Sequence, residues 1–119
     1  MSKKILFKSE EYPTRFGMSV YKKWELEEGL KFTDLATIFD NEKEIGLSEM
    51  VIILSMGYFG IKSGCNKEGI EFNYTMEDFL DEISSEEVKG VIEAVTLGVA
   101  AYFNAEKVEN KGLPKTKKR

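Results

Sequence analysis

Residues 50–61, MVIILSMGYFGI, are twelve consecutive positions without a charge, and whatever this chain folds into must cover them. A membrane span needs about 20 apolar residues, so a run this short is a core element and not a membrane anchor. Its flanks predict a helix. Ser48 is placed to act as N-cap, Glu49 in the first turn suits the positive end of the helix dipole, and Lys62-Ser63-Gly64 closes the run, with Gly64 placed to end the helix in a left-handed conformation.

The rest of the chain supplies the elements that surround it. Residues 4–7 and 14–16 are short extended candidates around Glu10-Glu11-Tyr12-Pro13, and Pro13 biases Tyr12 away from helix, which together predict an N-terminal hairpin. Residues 18–28, MSVYKKWELEE, place Val20, Tyr21 and Trp24 at helical spacing, with Gly29 where a C-terminal glycine belongs. Thr33 is the expected cap of a short helix over 34–39, in which Leu35, Ile38 and Phe39 share a face and Asp40-Asn41 breaks the pattern. A loop is expected over 64–74. Thr75 and Asp78 have the spacing of a capping box, and Ser84 with Glu87 has the full box. The second box opens a helix whose Val88, Val91, Ile92, Val95, Val99, Tyr102 and Phe103 form a stripe across four turns, expected to pack on the core helix. Gly90 and Gly98, unfavourable inside a helix, are expected to permit close helix contact.

The predicted fold is therefore mainly α: a small domain of four to five helices over 17–108, a short β element over 1–16, and a flexible basic tail over 109–119. Its 119 residues make one domain, able to bury a core without disulfides or metals. The last nine residues carry Lys111, Lys115, Lys117, Lys118 and Arg119, which leaves a net −9 on the first 110 of a chain whose total is −4. An acidic body with a basic tail argues against nucleic-acid binding, which needs its basic face on the folded part. One cysteine, Cys65, and an N-terminus with no signal-peptide core point to the cytoplasm.

The residues offer little chemistry. With no histidine, histidine triads, histidine bases and histidine-containing zinc sites are excluded. Cys65 has no histidine to activate it and reads as an ordinary thiol. Residues 57–63 have the wrong glycine spacing for a phosphate loop, and residues 40–46 lack the glycine and the terminal acid of a calcium loop. No catalytic residue, cofactor or metal is expected. What remains is surface. Tyr21 and Trp24 are candidate partner anchors, although their spacing with Val20 favours core packing. Tyr58 and Phe59 put aromatic rings on adjacent faces of the core helix, which admits a homo-oligomer covering one of them. Glu77, Asp78, Asp81, Glu82, Glu86 and Glu87 form an acidic surface, most simply a solvated one, of which Asp78, Asp81 and Glu82 are the candidate contacts for a partner.

From Arg15-Phe16-Gly17-Met18 to Phe103, the order of motifs resembles the tail assembly chaperones of long-tailed bacteriophages and related prophages. The stretches that carry the likeness are RFGMSVYKKWELEEGL, MVIILSMGYFGIKSG and YTMEDFLDEI. Phe16, Met18, Glu25, Gly29, Thr75, Glu77, Asp78 and Asp81 occupy the matching places, and residues 64–74 match least well. Their order over nearly ninety residues carries the likeness. The resemblance implies a non-enzymatic factor, working in the cytoplasm of the bacterial host, that coats the tape-measure protein, recruits major tail (tube) subunits and leaves before the tail matures. It further implies that some copies are extended by a ribosomal frameshift, for which Lys117-Lys118 is a dipeptide that slippery codons can encode. The competing reading is a small helical interaction module or regulator with another partner.

Overall fold

A computed structural model describes residues 4–40 and 45–112, with the side chains of 40 and 102–112 excepted. In chain order the elements are β1 (Ile5–Phe7), β2 (Glu10–Tyr12), α1 (Met18–Glu28), α2 (Phe32–Asp40), α3 (Leu47–Glu68), α4 (Met76–Glu82) and α5 (Ser85–Gly112). The fold is mainly helical with a short N-terminal hairpin, as the sequence predicts.

The uncharged run sits inside α3, which overruns it at both ends. At the start, Gly46 and not Ser48 is the N-cap: its carbonyl accepts the Met50 amide at 2.9 Å, and Ser48 lies within the first turn. Glu49 is the first-turn acid, and its carboxylate folds back over Gly46, where a Cβ would stand 2.6 Å from Oε1. At the far end the helix passes through Gly64 and stops at Gly69, whose φ of 72° provides the left-handed cap. The apolar period explains the extra turn. Lys62 points to solvent while Gly64 and Cys65 remain buried, so the inward stripe continues past the charge. Gly64 is needed for proximity instead: a Cβ there would lie 2.8 Å from the Thr14 Cα and closer still to the Pro13 carbonyl. The Arg15 amide fastens the same arm by donating to the Gly60 carbonyl at 3.0 Å.

The N-terminal hairpin has a different register from the expected one. β2 is Glu10–Tyr12, which the sequence pattern places in the turn, and residues 14–16 are not a strand. The antiparallel register pairs Ile5 with Tyr12 and Phe7 with Glu10 around a two-residue turn, Lys8-Ser9, with φ of 52° and 69°. Two successive positive φ values are the geometry whose twist suits a tight hairpin, here adopted by residues that rarely accept it. Distant contacts hold it. The Lys8 amide donates to Glu87 Oε2 at 2.9 Å and its ammonium to Glu82 Oε1 at 2.5 Å.

The first two helices follow their local signals with one change. α1 ends on Gly29 in the left-handed region, as expected. α2 begins at Phe32, so Thr33 is inside the helix and is not its cap. Asp34 serves the N-terminus instead, accepting the Lys31 amide at 3.0 Å, and Glu25 of α1 accepts the Phe32 amide at 2.6 Å, which ties the two helices together. Both predicted capping boxes are present. Thr75 Oγ1 accepts from the Asp78 amide at 3.0 Å, Ser84 Oγ accepts from the Glu87 amide at 3.2 Å, and each acid reaches back to its cap amide. α5 runs to Gly112, four residues past the expected boundary at 108, and the tail residues 113–119, including the Lys117-Lys118 pair, lie outside the described part.

α5 packs along α3 and against β1, while α1, α2 and α4 also contact α3. Gly57 makes the α3–α5 approach possible, since a Cβ there would overlap Val91 and stand 3.6 Å from Val95 Cγ2. Gly90 faces open space and does not mediate helix contact, contrary to expectation. Gly98 admits a ring and not a helix: the Phe16 ring lies between Gly98 on α5 and Gly60 on α3, each too close to it for a side chain. The arm between hairpin and α1 is thereby wedged between the two longest helices.

Candidate functional site

Three regions bear on function, of which the first is largely buried and positions the two surfaces. The first is built around an aromatic cluster that docks the hairpin on α3 and α4. The Phe7 ring lies 5.0 Å from those of Tyr74 and Phe79, Tyr12 meets Phe72 at 4.8 Å, and Tyr58 meets Phe79 at 5.7 Å. Edge contacts at these separations add to the area that the rings bury. The Tyr58 hydroxyl donates to the Tyr74 carbonyl at 2.6 Å, fixing the segment between α3 and α4 to α3. Burial first, then Asp78 and Glu27, raises the Tyr58 pKa.

Tyr12 in the same cluster has its pKa pushed up to about 12 by burial and by donating to Glu10 Oε1 at 2.7 Å. Its ordinary value is 10.0, so the folded state keeps a proton that the unfolded chain releases. The stabilisation is complete below pH 10.0 and is lost as the pH climbs towards about 12. A spectrophotometric phenolate titration should therefore show Tyr12 ionising late and together with loss of helical circular dichroism. Early, independent ionisation of all five tyrosines would contradict this burial.

The second surface is acidic and lies over α4 and the start of α5. Of the expected partner contacts, Asp78 is occupied in its capping box, Glu82 is paired with Lys8, and Asp81 is exposed. The Lys8 pKa is raised, chiefly by its hydrogen bond to Glu82. This pair is solvent-exposed, so it orients the hairpin turn and adds little to stability.

The third surface is a groove of about 560 Å³ between α1, the C-terminal half of α3 and the segment after it. Phe59 and Phe72 line its floor, while Lys23, Lys62 and Asn73 stand around it. Cys65 also borders the groove, but burial, then Glu68, raises its thiol pKa, so it stays protonated and a weak nucleophile near neutral pH. Among the described residues, no group of three or more cysteine, aspartate and glutamate side chains is arranged to hold a metal ion. Likewise, no helix among them is long and apolar enough to cross a membrane.

The aromatic candidates separate. Tyr21 and Trp24 are core residues, at 4% and 0% exposure, and no partner reaches them while the domain is folded. The Tyr21 hydroxyl donates to the Gly98 carbonyl at 3.1 Å, and the Trp24 indole donates to Ser55 Oγ at 2.9 Å. The reason is their spacing with Val20, which turns all three towards α3 and α5. Tyr58 is half-buried in the aromatic cluster, and Phe59, one residue on, is nearly covered but borders the groove. The structure therefore brings Tyr58 close to the acidic surface, keeps Phe59 on the groove side and removes Tyr21 and Trp24 from the surface.

Sequence reasoning missed the groove lysines and the apolar side chains left outside the core. Leu47 is 82% exposed, Leu26 is 74% exposed, and Val51 is also exposed, one turn along α3 from Leu47. Compared with known proteins, the chain matches no family model, no curated protein and no solved structure.

Proposed function

We propose that the chain is a non-enzymatic assembly factor of the tail assembly chaperone kind, binding the tape-measure protein and recruiting major tail (tube) subunits to it. The observation that carries this reading is the exposure of Leu26, Leu47 and Val51 on a small helical domain with net charge −4. Leu47 and Val51 share one helix face, and an exposed apolar face of this kind can shield the apolar stripe of an amphipathic partner helix. The acidic remainder keeps the resulting complex soluble. The order of elements also supports the reading: a small β element, a helix entered through Phe16 and Met18, a long apolar helix, and a threonine-capped start before the last helix.

A pull-down of the tagged chain against the products of its neighbouring genes tests the proposal. The expected result is co-purification of a very long helical protein, weakened when Leu26 and Leu47 are both replaced by glutamate. Recovery of a different partner, with the long helical protein absent, would instead favour a regulatory interaction module.

A further inference from the structure

The groove between α1 and α3 has a charge opposite to that of the chain. Lys23 and Lys62 are among its lining residues and no aspartate or glutamate is, although Glu71 stands beside it between the lining residues Ile70 and Phe72 and the whole chain is at −4. Lys62 is held in place, with its ammonium 3.4 Å from the Phe72 carbonyl and 6.0 Å from the centre of the Tyr58 ring. Lys23 is exposed on α1, and neither lysine is ion-paired to a carboxylate among the described residues. Below them Val20, Phe59 and Phe72 provide an apolar floor.

Ile70, Phe72 and Asn73 of the segment after α3 also border the groove. Residues 70–75 run between α3 and α4 without joining a helix or a sheet. The carbonyls of Phe72 and Tyr74 accept from Lys62 and Tyr58. The amide and carbonyl groups of Glu71 and Asn73, both exposed residues, have no hydrogen-bond partner among the described residues. Alternate residues with open donors and acceptors are what an added strand requires.

We propose that this groove docks an extended acidic segment of a partner protein, which pairs with the open main chain at Asn73 on its edge and at Glu71 beside it, and places carboxylates on Lys23 and Lys62. Apolar side chains of the same segment fill the floor over Phe59 and Phe72. The three elements suit a peptide better than a small anion, because an anion uses the lysines and leaves the floor and the strand edge empty. Leu26, Leu47 and Val51, on which the assembly-factor reading rests, do not line this groove. The two sites therefore succeed or fail separately.

The test uses the full chain and a fluorescently labelled peptide alternating glutamate with leucine, followed by anisotropy at low salt. Saturable binding is expected, and the pair Lys23→Glu and Lys62→Glu should weaken it at least about tenfold, as loss and reversal of two interface charges implies. The pair Lys22→Glu and Lys67→Glu changes net charge equally but lies outside the groove, and should alter binding by less than about twofold. Lys23→Ala with Lys62→Ala serves as a milder groove variant if charge reversal lowers the melting temperature. Hydrogen exchange of the unaltered protein should slow at Glu71 and Asn73 when the peptide binds. Absence of saturable binding, equal weakening by both charge-reversal pairs, or equal binding of a peptide with lysine in place of glutamate overturns the proposal. Complete displacement by inorganic phosphate, with no slowing at Glu71 and Asn73, would reduce the groove to an anion site and overturn it as well.

Discussion

Replacing Trp24 by alanine is expected to lower the stability of the domain by about 3–5 kcal/mol, the cost of removing a large aromatic side chain from a core. Trp24 is fully buried in the interior formed mainly by α1, α3 and α5. Small domains are stable by only about 5–15 kcal/mol in total, so this one change consumes a large part of the margin. The loss is mostly packing. The indole N–H donates to Ser55 Oγ at 2.9 Å, but the Ser55 hydroxyl itself donates to the Ile52 carbonyl at 2.6 Å and keeps that bond in the variant. Trp24→Phe separates the two contributions, since it restores most of the volume and loses only the hydrogen bond, worth about 1 kcal/mol net. Chemical denaturation of the three proteins checks the order. Equal stability of Trp24→Ala and the parent would show that the indole is not in the core.

Val95→Asp is expected to be comparably damaging, by about 3–5 kcal/mol at neutral pH, because it places an unpaired charge where no water reaches. Val95 is fully buried on α5 and faces Gly57 on α3, where the two longest helices pack together. An aspartate there would hold its proton to a higher pH than in the unfolded chain, where its pKa is about 3.9. The variant should therefore regain stability relative to the parent as the pH falls, and lose it as the pH rises through the elevated value. Thermal unfolding of both proteins at acid and neutral pH measures this directly. A melting temperature unchanged at neutral pH would mean that the stripe on α5 faces solvent.

Where a structural signal is local, the sequence already displays it. The Thr75–Asp78 and Ser84–Glu87 boxes, the left-handed Gly29, and the burial of Val20, Tyr21 and Trp24 all depend on neighbours within about one turn. Where the signal comes from a distant residue, it does not. The turn at Lys8-Ser9 lacks the asparagine or glycine that marks such a hairpin, and is held by Glu82 and Glu87 more than seventy residues away. Gly64 looks like a helix end until the Pro13–Thr14 backbone is laid against it. Gly98 looks like a helix-contact glycine until Phe16 is placed over it.

The candidate sites divide along the same line. The acidic surface is contiguous in sequence and was visible there, although Asp78 and Glu82 are engaged in holding the fold. The groove is assembled from Lys23 on α1, Lys62 on α3 and Asn73 in the segment after it, and nothing in their sequence spacing relates them. The exposed leucines were hidden for a different reason. Leu47 fits the apolar composition of α3 and Leu26 follows Trp24 on α1, and only the packing of the two helices shows that both are left on the outside.

The assembly-factor reading turns on whether this chain keeps a long, aggregation-prone helical partner in solution. The measurement that addresses it is the soluble yield of the tape-measure protein that this reading proposes as the partner, expressed alone, with this chain, and with the Leu26→Glu, Leu47→Glu variant. The account predicts a severalfold higher soluble yield with the unaltered chain, recovery of the two proteins as one complex, and loss of both effects in the variant. A tape-measure protein equally soluble in all three cases, with no complex recovered, would contradict it.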